Sequence, residues 1–125
     1  MKVAELMQTN LRTISTDATI ADAVVAFAET QVSALPVLDR LGRAVGVVST
    51  REILKAETNR RSERTRVLEI MTPWPATIDP DLDVRQAAQE MLYLNVQRLF
   101  VEFDGALVGV ISQTDIVGAV GTAKV

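Results

Sequence analysis

Apolar positions along this chain switch between helical and strand spacing, and the switches come in the same order in both halves. Ile20, Ala23, Val24 and Phe27 recur at helical spacing behind a start signal made by Thr19 and Asp22, which predicts a helix reaching Thr30. Leu35–Leu38 and Ala44–Val48 then read as strands on either side of a glycine-containing turn at Asp39–Gly42. In the second half Val84, Ala87, Ala88 and Met91 mark a helix, and Leu99–Phe103 and Ala106–Ile111 mark strands around Asp104-Gly105. Each half therefore reads as a short helical lead-in, a strand, a helix, two strands and a closing helix.

The halves also share residues. Val3-Ala-Glu-Leu-Met7 returns as Val67-Leu-Glu-Ile-Met71, and Gly46-Val-Val-Ser-Thr-Arg-Glu-Ile53 returns as Gly109-Val-Ile-Ser-Gln-Thr-Asp-Ile116. The spacing is 64 from Val3 to Val67 and from Val32 to Val96, and 63 from Gly46 to Gly109, so the second copy lacks one residue between its paired strands. A turn absorbs such a loss without disturbing packed elements. Repeat boundaries at 1–58 and 67–125, joined by a connector at 59–66, follow. Two like units facing each other across a pseudo-two-fold axis leave a cleft as the natural place for a ligand.

The helix at Ile20–Ala28 carries Val25, Ala26 and Ala28 beyond a single apolar stripe, and the second copy adds Leu92 and Leu94. Such helices need cover on two sides, which predicts a homodimer; packing within one chain is the other reading. The 125 residues, 48% hydrophobic with net charge -3, suit one bipartite globular unit. With no cysteine and no histidine, thiolate and imidazole catalysis, disulfides and the usual zinc sites are excluded. Asp79, Asp81 and Asp83 lie at a turn and helix start, where capping explains them more simply than catalysis, so no enzyme is expected. Met1–Met7 offers neither a signal peptide nor a membrane span, and a cytoplasmic protein is expected.

Ser112-Gln-Thr-Asp115 follows a strand and opens a helix, where backbone N–H groups and a partial positive charge favour an anion. The Ser112 hydroxyl can donate to a phosphate oxygen, and the Asp115 carboxylate can accept from the hydroxyls of a ribose. Ser-x-x-Asp before a helix is equally a capping box, and spacing does not separate the two uses. The first copy has Ser49-Thr-Arg-Glu52, with an acid one methylene longer.

The ordered series, a Met-terminated lead-in, Thr-Ile, a helix, Val32-Ser-Ala-Leu-Pro-Val37 and Gly-Val-Val-Ser, mostly repeated, resembles a tandem pair of cystathionine β-synthase (CBS) domains, a Bateman module. The resemblance covers Val3 to about Val120 and implies an α/β fold of two β-α-β-β-α repeats packed sheet to sheet. It also implies clefts for adenosine-containing ligands, AMP, ADP, ATP or S-adenosylmethionine, in a regulatory rather than catalytic role with no cofactor required. In the family the Ser and Asp of the motif contact phosphate and ribose, and the base is held by the partner copy. The resemblance thus assigns Arg12, Thr13, Ile14, Ser33, Ala34 and Pro36 to the base opposite Ser112 and Asp115. A second, weaker site would use Ser49 and Glu52 with Thr72, Ala76, Val96 and Gln97. The gamma subunit of AMP-activated protein kinase is similar locally at Val96-Gln-Arg-Leu99, which implies a phosphate contact for Arg98; a surface arginine on a strand edge is the alternative.

Trp74, between Pro73 and Pro75, reads as packed against the protein, with adenine stacking or a dimer contact as alternatives. Lys55, Arg60, Arg61, Arg64 and Arg66 against Glu57 and Glu63 give the connector region a local charge of +3, read as a solvated linker. Nucleic-acid binding is not expected of so acidic a chain. The leading reading is a free-standing adenine-nucleotide-sensing module that passes its state to a separate effector protein. The alternative is a ligand-free scaffold for dimerisation or protein interaction.

Overall fold

A computed structural model describes residues 1–73 and 76–121. The predicted elements are present in order: α1 (Val3–Leu6), β1 (Ile14–Ser15), α2 (Ile20–Thr30), β2 (Ala34–Leu38), β3 (Ala44–Ser49) and α3 (Thr50–Thr58) come first. The second series is α4 (Val67–Ile70), β4 (Thr72–Pro73), β5 (Thr77–Ile78), α5 (Val84–Leu94), β6 (Arg98–Phe103), β7 (Ala106–Ser112) and α6 (Gln113–Gly121). Start signals act as read: Thr19 Oγ1 accepts from the Asp22 amide at 3.2 Å, and Asp22 accepts from the Thr19 amide at 2.9 Å. The helix α2 stops where Gln31 turns left-handed, with φ 61°.

The described residues form two compact units, one of residues 12–73 and one of residues 1–11 with 76–121. In the first, β1 runs parallel to β2, and β2–β3–β4 continue antiparallel, in the order β1-β2-β3-β4. Leu35 and Val37 on β2 and Val48 on β3 join Ile14, Ala23, Ala26 and Val67 in its core. In the second, β5 runs parallel to β6 and β6 pairs antiparallel with β7. Its core gathers Leu99, Val101 and Ile111 with Val84, Ala87, Met91 and Val3. Burial alternates along β3 and β7, whereas β2 and β6 are each buried at three successive positions.

The compact units do not follow the repeat boundaries at 1–58 and 67–125, because each repeat gives its lead-in to the other. Val3 donates to the Leu82 carbonyl at 2.8 Å, and Val84 to that of Met1 at 2.9 Å. The equivalent bonds elsewhere run from Val67 to Ala18 at 2.7 Å and from Ile20 to Thr65 at 2.9 Å. Strand edges are completed the same way, by Gln8 bridging Val110 in one unit and by β4 on β3 in the other. The glycines shared by the repeats now have a reason. A Cβ on Gly46 would lie 2.6 Å from the Met71 sulfur and 2.7 Å from the Thr72 oxygen; on Gly109 it would lie 2.7 Å from the Met7 sulfur and 3.0 Å from the Gln8 oxygen.

The missing residue falls between the paired strands, as the spacing requires. Asp104 and Gly105 both have positive φ (52° and 77°), the pattern of a two-residue type I′ hairpin, whereas the longer connection before β3 uses Gly42 at φ 80°. The connector is tied to its own unit, with Arg66 3.5 Å from Asp17 and Arg61 3.8 Å from Glu69.

Candidate functional site

Ser112 ends β7 and opens α6, so the strand-to-helix corner is set by backbone pairing on one side and capping on the other. The Ser112 amide donates to Asp115 Oδ2 at 2.9 Å, and the Asp115 amide donates to Ser112 Oγ at 3.1 Å. The capping box therefore forms. It leaves chemistry over, because among the described residues Ser112 Oγ is only an acceptor and Asp115 Oδ1 takes only a long bond, 3.4 Å, from Gln8 Nε2.

Arg98, at the start of β6, is the direct cross-strand partner of Ser112. Directly opposed residues of an antiparallel pair share a face, which puts this half-buried arginine beside the corner. Val96 and Gln97 lie close as well: the Gln113 amide donates to the Gln97 carbonyl at 2.9 Å, and Gln113 Nε2 to that of Val96 at 3.1 Å. Ser112, Asp115, Arg98, Val96 and Gln97 thus belong to one unit, together with half-buried Ala76.

The other unit repeats the corner with Ser49 and Glu52. Ser49 N–H donates to Glu52 Oε1 at 3.2 Å, and Ser49 Oγ donates to Glu52 Oε2 at 2.8 Å. Thr72 Oγ1 adds a bond to Glu52 Oε1 at 3.4 Å. Ala34, not an arginine, stands opposite Ser49, and the Thr50 amide donates to the Ser33 carbonyl at 3.1 Å.

The residues assigned to the base opposite Asp115 all fall in this second corner's unit. Ser33 and Arg12 are exposed and Thr13 and Ala34 are half-buried, with Arg12 paired to Glu29 at 3.5 Å. Ile14 is a core residue and Pro36 is fully buried, so their side chains pack inside this unit. Trp74 lies outside the described residues.

Gln8 was missed by the sequence reading. The signal was present, since Gln8 stands 64 residues before Thr72, the spacing of the repeat, and touches Asp115 as Thr72 touches Glu52. Asp79, Asp81 and Asp83 act as turn and cap acceptors: Asp79 takes the Asp81 amide at 2.8 Å and Asp83 the Arg85 amide at 2.8 Å. Among the described residues no group of three or more acids is arranged to hold a metal.

The sequence pattern of the CBS domain matches residues 3–59 and again 67–122. The chain belongs to the CBS domain family. Matched CBS structures are close in fold: the CBS domain pair of protein MJ0100, in complex with 5-methylthioadenosine and S-adenosyl-L-methionine, superposes with a TM-score of 0.88 at 25% identity, over 99% of this chain and 98% of that one. The CBS domain protein PAE2072 from Pyrobaculum aerophilum, complexed with AMP, gives 0.86 at 27% identity, over 98% and 99%. Among curated relatives, the uncharacterized protein MJ1225 of Methanocaldococcus jannaschii is 24% identical over 96% of this chain, which spans 43% of its length. Both repeats of the CBS pair are thus present, in a mixed α/β fold with two sheets. Among the described residues no helix is long and apolar enough to cross a membrane.

Proposed function

We propose that this CBS pair is a regulatory module that binds an adenosine-containing ligand, with Ser112 and Asp115 gripping phosphate and ribose and Arg98 supplying the cation. The observation that carries this is the Ser112 corner. After capping its own helix it keeps a hydroxyl proton and a carboxylate oxygen for a ligand, with an arginine on the same face of the sheet. Support from outside comes from two CBS structures of similar fold that hold AMP or S-adenosylmethionine and 5-methylthioadenosine. The ligand acts by population shift, favouring whichever conformation it binds better, and a separate protein reads the outcome.

The module works as a homodimer. Val24, Val25 and Leu54 are exposed in one unit and Leu92, Val117 and Val120 in the other, and α5 and α6 border an apolar hollow of about 210 Å³ lined by Ala88, Met91, Leu92, Gln113, Ile116 and Val117.

Native mass spectrometry of the purified protein mixed with AMP, ATP or S-adenosylmethionine tests both parts. The expected result is a two-chain mass carrying ligand in the wild type and an unliganded two-chain mass in Asp115→Ala. A dimer that takes up none of the three favours a ligand-free scaffold, and a monomer removes the homodimer.

A further inference from the structure

The two Ser-x-x-acid corners are related by sequence and differ in how their atoms are used. Ser112 Oγ accepts from the Asp115 amide at 3.1 Å and its proton has no acceptor among the described residues. Ser49 Oγ accepts from the Arg51 amide at 3.2 Å and spends its proton on Glu52 Oε2 at 2.8 Å. The extra methylene makes the difference, because it lets the Glu52 carboxylate reach around to both the amide and the hydroxyl of Ser49, while Asp115 is bonded to the Ser112 amide alone at its own corner. Thr72 then adds a hydroxyl donor to Glu52 Oε1 at 3.4 Å. The carboxylate of Glu52 thus collects three donors from its own unit, and the Ser49 hydroxyl proton is already spent on it.

Charge points the same way. Opposite Ser112 stands Arg98, and opposite Ser49 stands Ala34. An anion approaching the first corner meets a guanidinium; one approaching the second meets a carboxylate with no cross-strand cation.

We infer that Glu52 is a specificity-determining residue that closes the Ser49 corner, so that each chain binds one adenosine ligand, at Ser112 and Asp115, and not two. This rests on the adenosine-ligand reading above and fixes the stoichiometry of that site.

Isothermal titration with AMP tests it. The wild type should take one AMP per chain, with affinity falling at least about tenfold in Asp115→Ala and staying within about twofold in Glu52→Ala. The double variant Glu52→Asp with Thr72→Gln gives the closed corner the acid and amide of the open one, and should take a second, weaker AMP. If that variant melts early, Glu52→Asp alone replaces it. Two AMP per wild-type chain, equal losses in Asp115→Ala and Glu52→Ala, or a folded double variant that stays at one would overturn the role of Glu52. No heat from wild type, with one AMP bound by the double variant, would overturn the assignment to Asp115 while leaving the closure by Glu52 standing. Silence from both would overturn the two together.

Discussion

At the scale of single residues, glycine and methionine explain each other. Met7 and Met71 pack on Gly109 and Gly46, and the lead-in backbone follows so closely that no side chain fits at either glycine. Gly46→Ala should therefore destabilise the protein by about 1–3 kcal/mol, the usual cost of overfilling a packed contact, because the Thr72 carbonyl cannot swing aside as a thioether can. Urea unfolding measures it, and an unchanged midpoint would show that the lead-in has room to shift. The same scale shows what sequence made legible. Ser112, Asp115 and their cap could be read because Ser-x-x-Asp has one local geometry. The longer acid at Glu52 marked the weaker corner, but its capture of the Ser49 hydroxyl could not be read, because whether such an acid bonds an amide or also a hydroxyl depends on its side-chain rotamer.

At the scale of elements, the order of helices and strands was legible because every period change is bounded by a cap or a turn residue. The acid at a helix start also sets a pH response. The Arg85 amide donates to Asp83, and this bond above all holds the Asp83 carboxyl below its ordinary value of 3.8; the Arg43 amide does the same for Asp39. A carboxyl with a lowered value in the folded state adds stability that is complete above the ordinary value and is lost as pH falls through the lowered one. Thermal melts should therefore drop on acidification through and below 3.8, and Asp83→Asn should make that drop shallower. An identical slope in the variant would remove Asp83 from the acid response.

At the scale of the whole chain, the exchange of lead-ins was not legible, for a physical reason. Val3 and Val67, and Met7 and Met71, are identical pairs, so either partner satisfies the same pocket and the pattern fits a local or an exchanged arrangement equally. The hydrogen bonds of Val3 to Leu82 and of Val67 to Ala18 decide it. Separately expressed fragments 1–66 and 67–125 should stay unfolded by circular dichroism, since each lacks a fully buried valine worth about 1.5–3 kcal/mol and a strand edge. Mixing them should restore the signal. A fragment 1–66 that folds alone would show that the exchanged segment is dispensable.

During synthesis this cross-threading imposes an order of events. Residues 1–11 leave the ribosome well before the partners that shelter Val3 and bridge Gln8, which are made some eighty to a hundred residues later. Residues 12–73 can close as soon as residue 73 has emerged, while residues 1–11 wait, with Val3 and Met7 bare, until β7 arrives. A newborn chain of this kind leaves its first lead-in open to chaperones and proteases for longer than its second.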